Sequence, residues 1–201
     1  MNNNAIIVFT RNPELGKCKT RLAKSIGDDA ALEIYSHLLR HTAEIAKQVD
    51  ADRFVFYSEH IVIDAIWDIA FFEKQLQEGN DLGERMKNAF QHVLDKGYYK
   101  VIIIGSDLLD LTNEIIEQAI SELESNQYVI GPAKDGGYYL LGLKSMKDQL
   151  FRNKNWGTET VLRETLNDLR NSNVSLLIEL NDIDTFEDLE AYDELKQFYN
   201  S

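Results

Sequence analysis

Four consecutive branched apolar residues, Val101-Ile102-Ile103-Ile104, constrain the fold of this chain more than any other stretch. A strand with one wet face alternates polar and apolar side chains. An unbroken Val/Ile run is instead buried on both faces, as in the central strand of a sheet covered by helices on each side. The run stops at Gly105-Ser106-Asp107, which leaves a carboxylate at the strand's carboxyl end. Ala5-Ile6-Ile7-Val8-Phe9 reads as a second buried strand.

Further strand-like runs fall at Arg53–Tyr57, Phe71–Leu76, Tyr128–Ile130, Tyr138–Leu143 and Val174–Ile178, mostly separated by helical periodicity. Asp81 and Glu84 have capping-box spacing ahead of Met86, Phe90, Val93 and Leu94 on one helix face. A helix beginning near Thr112 carries Ile115, Ile116, Ala119, Ile120 and Leu123, and Val161, Leu162, Leu166 and Leu169 repeat the stripe. This is α/β alternation. No internal repeat or proline-rich linker interrupts it, so residues 1–201 read as one domain, long enough to bury about 70% of the unfolded surface.

The net charge of −13 opposes anionic lipid and nucleic acid, and no apolar run approaches the ~18 residues of a membrane span. A single cysteine, Cys18, excludes an intramolecular disulfide, and nothing at the amino terminus resembles a signal peptide. A cytoplasmic protein acting on small molecules is the expectation.

Against that acidic background, Arg11 to Lys24 holds five basic residues (Arg11, Lys17, Lys19, Arg21, Lys24) and one acidic residue, Glu14. The segment follows the first strand and leads into a helical pattern, the position where open α/β sheets hold ligands. Gly16 lets backbone approach a phosphate, while Arg11, Lys19, Thr20 and Arg21 supply charge and hydrogen bonds. A plain basic helix start is the structural alternative, but cations at a helix amino terminus oppose its dipole. The stretch is not a P-loop, because Cys18 precedes Lys19 and Gly16 is its only glycine.

Asp107 would repel a neighbouring phosphate unless a divalent cation bridged them, which makes it a candidate ligand for Mg²⁺ or Mn²⁺ as well as a candidate turn cap. In Asn181-Asp182-Ile183-Asp184-Thr185-Phe186-Glu187-Asp188, Thr185 and Asp188 have helix-cap spacing. That leaves Asp182 and Asp184, and Asp184 is the second candidate metal ligand. Gly131-Pro132-Ala133-Lys134-Asp135-Gly136-Gly137-Tyr138-Tyr139 carries an Asp-Gly hairpin signal. The second glycine and the paired tyrosines go beyond a turn: Gly136 and Gly137 permit close approach of a sugar or base, and Tyr138 could stack on a ring. Arg85, at a glycine-flanked helix start, is a further phosphate or carboxylate partner. His37 and His41 lack the metalloprotease pattern and read as packing or surface residues.

Taken together these residues resemble the nucleotide-diphospho-sugar transferase superfamily, in its small bacterial glycosyltransferase-A-like branch. The resemblance rests on Phe9 to Leu22, Gln77 to Met86, Gly105-Ser106-Asp107, Gly131 to Leu143, Trp156 and Asp182 to Leu189, nearly the whole chain. It implies a three-layer α/β/α sandwich around a mainly parallel mixed sheet. The first loop and Ser106 would hold the nucleotide, Asp107 and Asp184 the metal, and Asp135 would orient or deprotonate the acceptor. Related nucleotidyltransferases share a Gly-x-x-Lys-Thr-Arg-like loop and a closing Asp-x-Asp-Thr-Pro-Glu-Asp-Leu. This chain departs by carrying Leu109 and Phe186 where prolines are common. The implied activity is metal-dependent glycosyl transfer from a nucleotide-sugar to a small-molecule acceptor. Nucleotidyl transfer from a nucleoside triphosphate with pyrophosphate release is the first alternative, and a silent nucleotide- or partner-binding module the second.

Overall fold

The computed structural model describes residues 3–63 and 65–199. Seven strands form one sheet: β1 (Asn4–Thr10), β2 (Asp52–Tyr57), β3 (Glu73–Leu76), β4 (Lys100–Ile104), β5 (Tyr128–Pro132), β6 (Tyr138–Leu143) and β7 (Val174–Leu176). Their order is β3-β2-β1-β4-β6-β5-β7, and every pairing is parallel except the two made by β6. The expected mainly parallel mixed sheet is therefore present, with β1 and β4 at its centre.

The apolar runs are continuous because helices cover both faces. On one side Ile6 and Val8 of β1 and Ile102 and Ile104 of β4 pack under α2 (Asp28–Gln48) and α4 (Asn113–Ser125). On the other side Ala5, Ile7, Val101 and Ile103 meet Met86 and Phe90 of α3 (Leu82–Asp95), with α5 (Val161–Asp168) farther along. The β1–β4 register, Ile6 opposite Ile102 and Ile7 opposite Ile103, keeps each layer in line. Two short helices, α1 (Thr20–Ile26) and α6 (Phe186–Leu189), join a third cluster around Leu22, Ile34 and Ile183.

The caps read from the sequence form. Asp81 accepts from the Glu84 amide at 2.8 Å, and the Asp188 carboxylate accepts from the Thr185 amide at 2.7 Å. Boundaries differ where side chains leave the sheet. The third strand starts at Glu73, because the Phe71 and Phe72 amides bond to Asp68 O and Phe72 turns into the core against Trp67. The last strand ends at Leu176, and the Asp-Gly turn lies within a longer connection, residues 133–137, between β5 and β6. Among the described residues no helix is long and apolar enough to cross a membrane.

Candidate functional site

The chain runs from β1 outward to β2 and β3, then returns to place β4 on β1's other side. This reversal leaves a crevice beyond the carboxyl ends of β1 and β4, the usual binding position in open α/β sheets. Arg11 to Lys19 leaves β1 on one side of it, and Gly105-Ser106-Asp107 leaves β4 on the other.

Two adjoining cavities occupy the crevice and share Phe9, Leu82, Gly105 and Asp107. The larger, 430 Å³, is lined by Arg11, Lys19, Thr20, Arg21, Ser106 and Asp184. The other, 240 Å³, has Phe9, Tyr138 and Trp156 on its walls and the carboxylates of Asp107, Asp135 and Asp182. The basic loop and the acidic turns thus meet across Asp107.

Lys19 holds the two sides together. Its ammonium donates to Asp107 Oδ2 at 2.9 Å and lies 3.9 Å from Asp184 Oδ1, with its side chain only 7% exposed. Burial alone would lower its pKa, but Asp107, Asp184 and Asp182 overcome that and raise it above the usual lysine value. Lys19 also sits in the left-handed region, φ 47°, which costs a side-chain-bearing residue about 1–3 kcal/mol and aims it inward at the start of α1. Arg21, more exposed, donates to Asp184 Oδ2 at 2.7 Å.

The loop is anchored from beneath by two buried polar residues. The Tyr35 hydroxyl on α2 accepts from the Arg11 amide at 2.9 Å and donates to Arg11 O at 3.3 Å. Asn12, 5% exposed, donates to His60 O at 2.8 Å and accepts from the Glu59 amide at 3.1 Å. Neither role is signalled locally in the sequence, since both partners lie far along the chain. Tyr35 carried one clue: a tyrosine buried on an apolar helix face needs a partner for its hydroxyl. Cys18 is buried beside the loop, and burial pushes its thiol pKa up, away from nucleophilic use.

On the acidic side, burial together with Asp107 and Asp135 pushes the Asp182 carboxyl up to about 6. Asp135 Oδ1 accepts from the Gly137 amide at 2.8 Å, so one oxygen braces the turn while the side chain still borders the cavity. Gly83 leaves space that Trp156 fills: a Cβ there would lie 2.6 Å from the indole ring. Hard carboxylate oxygens that repel one another across a cleft are a donor set suited to Mg²⁺ or Mn²⁺. Asp107 is flanked by Asp182 toward the aromatic cavity and by Asp184 toward the loop, so the chemistry of the donor set suits a divalent cation while the three carboxylates stand farther apart than one three-ligand group. As they stand, the described side chains close enough to form a three-ligand group are Glu14, Glu59 and His60, within 4.8 Å of one another outside the crevice. At Asp107 and Asp184 the Lys19 ammonium supplies the positive charge instead.

Three residues singled out from the sequence stand apart from the crevice lining. Arg85 Nε donates to Gly79 O at 3.1 Å and braces the turn before α3. Gly16 adopts φ +72° within the loop, where a Cβ would face Asp28 at 3.6 Å. The space that Gly136 opens, at φ +87°, is filled by the Glu159 backbone, 2.3 Å from where a Cβ would stand. Gly137 and Tyr138 do line the smaller cavity. His41 bonds Leu111 O at 2.8 Å and His37 packs on Phe198, both in structural roles.

Residues 41–158 match the family model described as "Uncharacterized protein conserved in bacteria (DUF2064)". A crystal structure from Desulfovibrio desulfuricans G20, assigned provisionally as a nucleotide-diphospho-sugar transferase, is 34% identical over 98% of this chain and 89% of that one, with a TM-score of 0.88. The chain belongs to the DUF2064 family. Its fold is that of the nucleotide-diphospho-sugar transferases, as the resemblance implied. Two more distant structures share the fold alone. A cytidylyltransferase from Leptospira borgpetersenii is 14% identical, with a TM-score of 0.63 over 100% of this chain and 89% of that one. Rv0371c of Mycobacterium tuberculosis H37Rv, in complex with manganese, is 12% identical, with a TM-score of 0.56 over 98% of each. None of the curated proteins matches this DUF2064 chain in sequence.

Proposed function

We propose that this protein is a divalent-metal-dependent glycosyltransferase that takes a sugar from a nucleotide-sugar to a small hydroxylic acceptor. The observation carrying this reading is the pairing, across one crevice at the sheet's switch point, of Lys19 with Asp107 and of Arg21 with Asp184. The diphosphate of a donor would lie in the larger cavity, where Arg11, Lys19 and Arg21 neutralise the charge gathering on the departing nucleoside diphosphate. Thr20 and Ser106 offer hydroxyls to its oxygens. Asp107, with Asp184 on the loop side and Asp182 opposite, would hold Mg²⁺ or Mn²⁺, the metal of the Rv0371c complex. Such an ion, when bound, supplies further charge stabilisation for the leaving group.

The donor's sugar would occupy the aromatic cavity, with the acceptor hydroxyl reaching it beside Asp135. There the bond from the sugar's anomeric carbon to the diphosphate breaks and a bond to the acceptor oxygen forms, while Asp135 takes the acceptor's proton. Nucleotidyl transfer is the second reading, favoured by the Lys19-Thr20-Arg21 segment of the loop and by the fold shared with a cytidylyltransferase. The products separate the two: nucleoside diphosphate for glycosyl transfer, pyrophosphate for nucleotidyl transfer.

Thermal unfolding with nucleoside triphosphates and nucleotide-sugars, each with and without Mg²⁺ or Mn²⁺, tests the reading directly. A ligand at 100 times its dissociation constant adds about 2.7 kcal/mol, roughly 5–10 °C here. A metal-dependent shift confined to one ligand class identifies the donor. Absence of any such shift across the panel rejects the transferase reading and favours a binding module.

A further inference from the structure

The two cavities meeting at Asp107 carry opposite charge. The larger takes in Arg11, Lys19 and Arg21, whereas the smaller is lined by Asp107, Asp135 and Asp182 and by no lysine, arginine or histidine among the described residues. An ionised carboxylate only accepts hydrogen bonds, so its partner in the cavity must donate. Phosphate and carboxylate groups accept only, and they would add like charge to a partly enclosed acidic space. Lys19 pairs with Asp107 from the other side, which leaves Asp135 and Asp182 as the charge of this cavity, with no cation of its own on the lining among the described residues.

Donors already on these walls are largely taken. The Gly137 amide bonds to Asp135, the Thr158 hydroxyl donates to Asn155 O, and the Tyr139 hydroxyl donates to Ile178 O. The remaining surface is aromatic: Phe9, Tyr138, and Trp156 held in place by the absence of a side chain at Gly83. Apolar ring faces between hydrogen-bond acceptors match a molecule with C–H faces and an equatorial rim of hydroxyls. At 240 Å³ the space is smaller than the roughly 300–1,000 Å³ of sites for drug-sized ligands, which limits it to about one ring.

We propose that the group held across Asp107 from the nucleotide is an uncharged, hydroxyl-rich one, a neutral sugar or small polyol, and that this cavity rejects phosphorylated and carboxylated sugars. The inference rests on the transferase reading for its biological sense but on the charge and shape of this cavity alone for its chemistry. It also bears on the two reactions. Nucleotidyl transfer to a sugar phosphate would require an anionic nucleophile in this cavity, whereas glycosyl transfer of a neutral sugar would not.

Trp156 provides a local readout, because the chain has two tryptophans and Trp67 is buried elsewhere in the core. The full chain, labelled with ¹⁵N and held at constant Mg²⁺, is titrated separately with glucose, glucuronate and glucose 1-phosphate. The indole N–H signal is assigned through Trp156→Phe. Glucose is expected to move the Trp156 signal saturably, at least about tenfold more tightly than either anion, while Trp67 stays in place. In Asp135→Asn combined with Asp182→Asn the gap should shrink severalfold. Equal or tighter binding of an anionic sugar at Trp156 overturns the proposal, as does a Trp156 signal that glucose leaves unmoved. Nucleoside diphosphates titrated in parallel report on the Arg11 to Arg21 amides instead. Silence there with glucose still preferred at Trp156 rejects the transferase reading and leaves the charge selection standing.

Discussion

The Lys19 ammonium lies 2.9 Å from Asp107 Oδ2, joining the loop after β1 to the turn after β4. The contact places a positive charge on the carboxylate that would otherwise receive a divalent cation. Lys19→Ala should therefore bind Mn²⁺ alone more tightly than the parent, measured by calorimetry. It should also lose stability, because Asp107 loses its counter-charge while Asp184 keeps only Arg21. A fully buried pair broken this way costs about 3–5 kcal/mol, but Asp107 and Asp184 are about one-third exposed, so about 1–3 kcal/mol is expected in urea unfolding. Lys19→Gly should recover about 1 kcal/mol of that, since glycine adopts φ 47° without strain.

Asp182 gives the protein a pH dependence of known sign. Its folded value of about 6 lies above the ordinary 3.8, so between pH 4 and 6 the folded state binds more protons than the unfolded chain. Stability without metal should fall as pH rises through this window, with the full penalty present above pH 6. After allowance for solvent screening, that penalty is about 1–2 kcal/mol. Asp182→Asn should accordingly melt about 3–6 °C higher than the parent at pH 7.5 and at nearly the same temperature at pH 4. In saturating Mg²⁺ the order at pH 7.5 should reverse, because the carboxylate then meets a counter-ion. A variant with no gain at pH 7.5 without metal would rule out the strained carboxylate.

The parts of this protein legible in its sequence are those whose cause is local. Val101–Ile104 reads as a doubly covered strand because each residue reports its own burial, and β4 is buried throughout. The charge of the basic loop contrasts with its surroundings, and Arg11, Lys19, Thr20 and Arg21 do line the larger cavity. Pairings across the chain do not read this way. Arg85 and Gly136 carried the chemistry of ligand contacts, yet the Gly79 carbonyl and the Glu159 backbone take up what they offer. Asp182 and Asp184 share one extended segment, and only the fold shows that one borders Asp107 and Asp135 while the other meets Lys19 and Arg21.

Arg21 separates binding chemistry from stability. Its side chain is 67% exposed, and an exposed pair such as Arg21–Asp184 contributes at most about 1 kcal/mol to folding. A charged hydrogen bond to a phosphate oxygen is worth about 1.5–3 kcal/mol, so Arg21→Ala should lower transfer by roughly one to two decades while the melting temperature moves by no more than about 2–4 °C. Unchanged turnover would remove Arg21 from the phosphate site.

Tyr35 acts on the ligand through Arg11. Its hydroxyl accepts from the Arg11 amide and donates to the Arg11 carbonyl, and Thr10 Oγ1 stands 3.4 Å away. Tyr35→Phe keeps the ring that fills the core under β1 and removes the hydroxyl's bonds to Arg11 together with its contacts to Thr10 and Ser106. The expected cost in stability is about 1 kcal/mol, that of a net hydrogen bond. Loss of the clamp lets the loop sample conformations in which Arg11 and Lys19 no longer converge on one anion, and the competent fraction scales the apparent affinity directly. Nucleotide affinity should then fall about three- to tenfold with kcat nearly unchanged, because the groups facing the reacting atoms remain in place once the ligand has closed the loop. A purely structural tyrosine would instead lower the melting temperature and leave affinity at the parent value. Calorimetric titration of the same nucleotide into both proteins, well below their melting temperatures, distinguishes the two outcomes.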